Sequence, residues 1–235
     1  MGSRPPAAEG EPIDVASLHA RMEWPPSHRY VSVSVEEGTF LQRLVRDRGA
    51  TRTIEIGFAY GGSTAAIMSG HDPARPECRH TSIDPYQETF GNLGLSNMER
   101  LGFGDRLDFR RDRSDAVIPA LRAEGLRFDV AFIDGNHRFD DILVDFCLVD
   151  QVLRVGGTVI LHDTWMRSTR MVQAFIRRNR RDYAEERGGP ANLAVFRKVD
   201  HDRRDWHHFA EFYTLRGMVS HWLTMRRLRK AAERT

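Results

Sequence analysis

The chain predicts an α/β fold built on a mostly parallel sheet, and three observations carry that prediction. Short apolar segments alternate with helix-patterned segments through the middle of the chain. One such segment, "FDVAFIDG" (128–135), is apolar at nearly every position, as a strand buried on both faces must be. Several of the runs stop abruptly at a glycine or an acid, which places polar chemistry at strand exits.

The elements follow in order. "TRTIEIG" (51–57) reads as a first strand, and "GGSTAAIMSG" (61–70) opens the helix after it. "RHTSIDP" (79–85) and "RLDFRRD" (106–112) read as the second and third strands. "SDAVIPALRAEG" (114–125) is a short helix stopped by glycine. After the fourth strand, residues 139–153 carry Phe139, Ile142, Leu143, Phe146, Val149, Val152 and Leu153 on one helical face. Asp140, Asp141, Asp145 and Asp150 fall mostly on the opposite, wet side. "GGTVILHD" (156–163) is a fifth strand, a helix follows at about 168–180, and "LAVFRKV" (193–199) closes the sheet.

Four regions result. Residues 1–12 read as a disordered leader, 13–50 as an N-terminal helical cap with a helix at "VEEGTFLQRLVRDRG", and 51–200 as the main domain. Residues 201–235 form a helical tail, where Phe209, Phe212, Trp222, Leu223 and Leu228 suggest an amphipathic face that packs on the domain or on a second copy in a homodimer. Trp206, His207 and His208 read as packing or surface residues.

Composition narrows the function classes. A net charge of +2 supplies no broad field for nucleic acid or a membrane surface. No apolar run reaches about 18 residues, so no membrane span is expected. Cys78 and Cys147 make no disulfide framework, which makes the reducing cytoplasm the default compartment. Lys198 and Lys230 are the only lysines, so none stands near the strand exits.

The exits themselves suggest a nucleotide site. Gly57 and Gly61 permit a tight turn and a close approach to a ligand, beside the free N–H groups of the next helix. Asp84, after the second strand, suits a ribose diol. The loop lacks the G-x-G-x-x-G spacing of dinucleotide binders and carries Glu55 at its entrance, a poor neighbour for phosphate and a good one for a cation. That points to S-adenosylmethionine, with its positive sulfonium and amino groups.

With these residues in hand, the chain resembles a class I S-adenosylmethionine-dependent methyltransferase with a Rossmann-like, doubly wound sheet. It is similar in particular to the metal-dependent O-methyltransferases related to catechol and caffeoyl-CoA O-methyltransferase. It also resembles the bacterial branch of macrocin O-methyltransferase and cephalosporin-hydroxylase-like proteins. "EIGFAYGGST" resembles the cofactor loop, which implies contacts from Glu55, Gly57 and Ser63 to the methionine part; Ala59 stands where some relatives have tyrosine. "SIDPYQ" aligns Asp84 with the ribose acid. "DRSDAVIPAL" implies adenine contacts from Ser114 and Asp115, the latter in place of a glutamine. "IDGNHRFDDILVDF" and "GGTVILHD" resemble the bacterial branch's D-G-x-H segment and its later G-G and H-D.

Asp134 and Asp163 close the fourth and fifth strands. If those strands are neighbours, the two carboxylates converge, and with waters and a substrate oxygen they suit a hard divalent ion such as Mg²⁺. The family's third ligand follows the second aspartate; here that position is Thr164, with His162 on the other side. His137 stands three residues after Asp134, where catechol-type relatives carry a catalytic lysine. With an unperturbed pKa near 6.5, its imidazole suits a base for a substrate hydroxyl. Asp141 or Asp145 could orient it. Arg138, Trp165, Met166 and Arg167 fall near the mouth of an acceptor pocket by position.

The reading is therefore methyl transfer to a hydroxyl of a small molecule, such as a sugar or polyketide moiety of a bacterial natural product. Three rivals stand beside it: methylation of an amine on an amino sugar, an NAD-dependent oxidoreductase, and a non-catalytic binding module that retains the fold.

Overall fold

The computed structural model describes residues 13–26 and 31–213, and beyond them positions 219, 222, 223 and 226. The leader at 1–12 and Leu228 of the tail lie outside the described residues.

Two helices precede the sheet, α1 (Val15–Arg21) and α2 (Val35–Asp47). Each starts on a side chain that satisfies free backbone N–H groups: Asp14 caps α1, and Ser34 with Glu37 forms a reciprocal capping box on α2. The central run is β1 (Arg52–Ile56), α3 (Gly62–Gly70), β2 (Arg79–Ile83), α4 (Leu93–Leu101), β3 (Leu107–Arg110), α5 (Ser114–Ala123), β4 (Phe128–Ile133), α6 (Phe139–Val152) and β5 (Leu153–Leu161). Helix α7 (Arg167–Asn179) and strands β6 (Tyr183–Glu186) and β7 (Ala194–Lys198) complete it. The helices α1 and α4 and the strand β6 were not separately anticipated.

The sheet has the order β3-β2-β1-β4-β5-β7-β6. The first five strands in that order pair in parallel, whereas β7 runs antiparallel to both β5 and β6. The doubly wound expectation holds: strand order reverses between β1 and β4, the kind of switch point where a crevice opens beyond the strand ends.

Alternation along β4 shows how the layers are filled. Ala131 and Ile133 pack into one core with Ile118 and Leu121 of α5, Ile142 and Phe146 of α6, and Val172 and Ile176 of α7. Val130 and Phe132 face the other side, with Leu41 and Val45 of α2 and Ile67 of α3. Burial of Phe146, which has no exposed surface, is worth roughly 1.5–3 kcal/mol. At the opposite end from the strand exits, the Asp129 carboxylate accepts the backbone N–H groups of Thr51 (2.6 Å) and Arg52 (3.0 Å) and takes Arg154 on its other oxygen at 2.7 Å.

Two readings of polarity need correction. Asp145 is buried, because α5 covers that side of α6 and Ser114 donates to it. Asp150 is held at the base of the sheet by Lys198 (2.8 Å), Tyr183 (2.8 Å) and Arg180 (2.8 Å). Residues 200–213 form no helix. Phe212 instead reaches back to Phe139 and Phe175, with ring centroids 6.4 and 5.6 Å apart, and covers the exposed start of the α6 apolar face. Phe209 lies in the same irregular segment, its centroid 6.2 Å from that of Phe212. Among the described residues no helix is long and apolar enough to cross a membrane. Both cysteines are free.

Candidate functional site

The site assembles at the exits of β1, β2, β4 and β5. The loop between β1 and α3 has left-handed backbone at Gly57 (φ +92°), Ala59 (φ +46°) and Gly61 (φ +82°). Gly57 is forced by its neighbour: a Cβ there would stand 2.1 Å from the Asp134 carbonyl oxygen. Helix α3 begins at Gly61 with no side-chain cap, so the N–H groups of its first turn face the loop without an internal partner.

Asp84 anchors this loop from β2. Its Oδ2 accepts the backbone N–H groups of Phe58 (3.2 Å) and Ala59 (2.9 Å), and Oδ1 accepts that of Tyr86 (2.7 Å). Gln87 braces the same turn, donating to the Ala59 carbonyl at 2.6 Å. The loop and the acid thus form one unit, with the uncapped helix end beside it. Glycines at closely packed backbone, an acid at the second strand exit and an anion-attracting helix terminus fit S-adenosylmethionine.

The surroundings of four cofactor candidates go beyond what the resemblance implied. Glu55 is wholly buried beneath the loop, because β1 turns it toward α3. There it accepts from Thr64 Oγ1 at 2.5 Å and from Ser63 Oγ at 3.4 Å, and its other oxygen lies 3.6 Å from His80. Ser63 is buried with it. Both brace the loop from below, and Glu55 Oε2 has no hydrogen-bond partner among the described residues. Ser114, at the start of α5, donates to Asp145. Asp115 points outward into an exposed pair with Arg113 at 3.0 Å.

The second half of the site is a cluster of acids and imidazoles. Because β4 and β5 are parallel neighbours, with Ile133 opposite Leu161, Asp134 and Asp163 emerge side by side as expected. His137 Nε2 lies 2.7 Å from Asp163 Oδ2 and 3.7 Å from Asp134 Oδ1. His162 Nδ1 lies 2.9 Å from Asp134 Oδ1. The ligand-capable atoms of Asp134, His162 and Asp163 all fall within 4.8 Å of one another. Trp165 donates from its indole to Asp163 at 2.8 Å, with its ring largely exposed at the rim.

Thr164 is not part of the cluster, which corrects the expected donor set. Two residues beyond the end of β5, Asp163 adopts φ +53°, which turns the chain and carries Thr164 to the β6–β7 hairpin, where its hydroxyl donates to the Ala191 carbonyl at 2.6 Å. Nor do Asp141 and Asp145 orient His137. Asp141 lies 3.9 Å from Arg138, and the two strand-end acids hold the imidazole themselves.

Two members escaped the sequence reading. Glu37, on α2, lies 3.5 Å from His162 Nε2, and Asn192, on the hairpin, donates to Glu37 at 2.9 Å. Asn192 Nδ2 is also 3.1 Å from His162 Nε2. The S-x-x-E pattern at 34–37 marks a helix start, but only the fold brings that glutamate over β5. Nothing in the residues around Asn192 signals its position.

Electrostatics follow from the crowding. Asp134 and Asp163 hold the His137 imidazole as a cation, raising its pKa to about 9. Burial works to lower that of His162, but Asp134 and Glu37, with the charge of Asp163, push it up to about 10. Burial likewise opposes ionisation of Glu37, yet hydrogen bonds from His162, Ser34 and Asn192 bring it down to about 2. Asp163 is held well below the usual carboxylate range: its partner His137 and the His162 charge outweigh burial. Two carboxylates, together with His162 once it gives up its Nδ1 proton, form a donor set that fits a divalent cation.

Residues 54–164, which contain most of this site, match a family profile described as a methyltransferase domain. Among curated proteins, the chain is 28% identical over 143 residues to catechol O-methyltransferase of Mycobacterium tuberculosis, covering 57% of this chain and 62% of that protein. It is 27% identical over 155 residues to caffeoyl-CoA O-methyltransferase 1 of Eucalyptus globulus, covering 64% and 58%. The match therefore spans about three-fifths of the length of these relatives. Among solved structures, the O-methyltransferase TomG from Streptomyces achromogenes, in complex with S-adenosylmethionine, shares the fold with a TM-score of 0.63 at 20% identity, covering 81% of this chain and 91% of that one.

Proposed function

We propose that this chain, whose residues 54–164 belong to the class I S-adenosylmethionine-dependent methyltransferases, transfers the methyl group of S-adenosylmethionine to a hydroxyl oxygen of a small molecule. The observation that carries the reading is the contact between Gly57 and the Asp134 carbonyl. It sets the cofactor loop directly against the acid–imidazole cluster, so a methyl donor on one side and an acceptor oxygen on the other would meet across a single backbone junction.

When bound, S-adenosylmethionine supplies an electrophilic methyl group on a positive sulfur. A divalent ion held by Asp134 and Asp163 would supply a Lewis acid that lowers the pKa of the acceptor hydroxyl. The chain's own residues do the rest. Gly57, Ala59 and Gly61 keep the loop backbone open, Asp84 fixes its curvature and would offer a carboxylate to the ribose, and the first-turn amides of α3 would hold the carboxylate of the amino-acid end. We assign Ser114 to the adenine end, with Asp145 behind it.

His137 is the base in this reading, taking the hydroxyl proton on Nε2. While Asp134 and Asp163 hold it as a cation it cannot accept a proton, so it becomes competent only when those carboxylates are neutralised by another positive group. Trp165, exposed beside Asp163, offers a flat apolar face to the acceptor. For the acceptor we propose a sugar or polyketide hydroxyl of a bacterial natural product. The likeness of the D-G-x-H segment supports this, as does the fold shared with TomG, itself involved in tomaymycin synthesis.

The test is transfer of labelled methyl from S-adenosylmethionine to a panel of glycosides, phenols and aminoglycosides, with and without added divalent ions. Product on an oxygen acceptor supports the proposal. Product only on amines, undiminished by a strong chelator, would replace it with the amine reading. Stabilisation by NAD(H) but not by S-adenosylhomocysteine would overturn both.

A further inference from the structure

We infer that His162 is the third protein ligand of the divalent cation, and that the set Asp134, His162 and Asp163 selects a first-row transition ion such as Mn²⁺, Fe²⁺, Co²⁺ or Zn²⁺ over Mg²⁺. The inference rests on the metal-assisted reading above and adds the identity of the third donor and the class of ion.

The position after Asp163 is closed to this role, because Thr164 is turned to Ala191. The position before it is open. His162 Nδ1 stands 2.9 Å from Asp134 Oδ1 and 3.7 Å from Asp163 Oδ1. Adjacent donors around an octahedral ion with bonds of about 2.1 Å are separated by about 3 Å, a value bracketed by the two histidine separations, and all three donor atoms lie within 4.8 Å of one another.

The far side of the ring is built to aim it. Glu37 is buried and fixed as the third residue of α2, in the capping box with Ser34, with Oε2 accepting the Ser34 N–H at 2.7 Å. Its Oε1 accepts from Asn192 at 2.9 Å and faces His162 Nε2 at 3.5 Å. With Asp134 committed to the ion, Glu37 is the carboxylate left to take the imidazole proton on Nε2, which frees the Nδ1 lone pair for the metal, while Asn192 keeps its amide hydrogen on Glu37; this is the carboxylate–histidine–metal arrangement that orients ligating imidazoles. The ring also packs against Phe132, with centroids 5.7 Å apart. His137 lacks this support: it sits on a loop with 40% of its side chain exposed, against 10% for His162.

The donor chemistry then selects the ion. Mg²⁺ prefers an all-oxygen shell and keeps several waters, whereas an imidazole nitrogen suits the borderline transition ions.

The experiment uses the full chain, stripped with a chelator and titrated with Mn²⁺, read by electron paramagnetic resonance. Free Mn²⁺ gives the affinity, and pulsed measurements report ¹⁴N coupling from a directly bound imidazole. The wild-type protein is expected to show that coupling, and Mg²⁺ to displace Mn²⁺ only at 100-fold excess or more. His162→Gln should lose the coupling and bind Mn²⁺ at least 10-fold more weakly. Glu37→Gln should keep the coupling with affinity reduced about 10- to 100-fold. Affinity for S-adenosylhomocysteine, measured alongside, reports that each variant is folded. Mn²⁺ bound to wild type without ¹⁴N coupling, coupling lost in His137→Gln but kept in His162→Gln, or displacement by equimolar Mg²⁺ would overturn the inference while leaving methyl transfer intact. Methyl transfer by a protein that binds no Mn²⁺ at millimolar concentration would remove the ion from the reaction altogether.

Discussion

The carbonyl oxygen of Asp134 occupies the space that a side chain at Gly57 would need, and so the last residue of one strand exit dictates the residue at the next. The two are further tied because Asp134 donates its N–H to the Ile56 carbonyl at 2.9 Å.

Gly57→Ala tests this junction. The residue is at φ +92°, a region costly for any side chain, and the added methyl meets backbone rather than a yielding side-chain tip. Stability should fall by about 1–3 kcal/mol from the backbone alone, and more from the clash. Affinity for S-adenosylhomocysteine should fall at least about 10-fold, the weakening that a shifted loop implies. Denaturant unfolding and calorimetric titration read the two effects.

Asp163→Asn separates chemistry from cofactor binding. Asparagine tolerates the left-handed backbone of this position, so the turn survives the change. Turnover should drop by about 10²- to 10⁴-fold, the range for loss of an organised proton-transfer site. The dissociation constant for S-adenosylhomocysteine should change little. Equal loss of both would remove Asp163 from the chemistry.

The pH dependence of stability reports on His137 in chelator-treated protein. Its folded pKa, about 9, lies above the ordinary 6.5. Its contribution is therefore fully present below pH 6.5 and is lost as pH rises through 9. The stability advantage of wild type over His137→Gln should be largest at pH 6 and mostly gone by pH 10. An advantage independent of pH would mean that the imidazole is held neutral.

Asp145 has the opposite sign. Burial raises its carboxyl from 3.8 to about 6, with Ser114 acting against that rise. The unfolded chain ionises first, so the native state loses stability as pH climbs from about 4 to 6 and then levels off. Asp145→Asn keeps an acceptor for Ser114 and removes that loss. At pH 7 it should be more stable than wild type by as much as about 3 kcal/mol, and at pH 3.5 nearly equal to it; urea unfolding at both values checks this.

How much of this was legible in the sequence depends on the range of the interaction. Asp84, Asp134 and Asp163 could be read because an apolar strand must stop where its cover stops, and an acid marks that point. Their convergence followed once β4 and β5 were taken as neighbours. Glu55 shows the limit: alternation along β1 turns it under the loop to Thr64, a partner that its place at the strand exit does not announce. Thr164 is misplaced for a similar reason: β5 ends at Leu161, two residues before the expected Asp163, and the left-handed φ of Asp163 then turns the chain away. Glu37 and Asn192 come from segments 155 residues apart, and only the completed sheet brings them together. Phe212 was read as one face of a helix, yet it meets Phe139 from an irregular segment, because an apolar patch can be covered without regular structure.

Asn192 hangs from the hairpin whose return strand runs against the direction of β5, and it donates at once to Glu37 of a helix near the N-terminus and to Asp163 at the strand mouth. A change in hairpin length would therefore act at a distance. Residues inserted near Gly188 and Gly189, before the tether, should reshape only the outer wall, whereas an insertion between Asn192 and β7 would slacken the hold on His162. Anyone retuning this protein toward a bulkier acceptor has freedom on the upstream side of that asparagine and none on the downstream side.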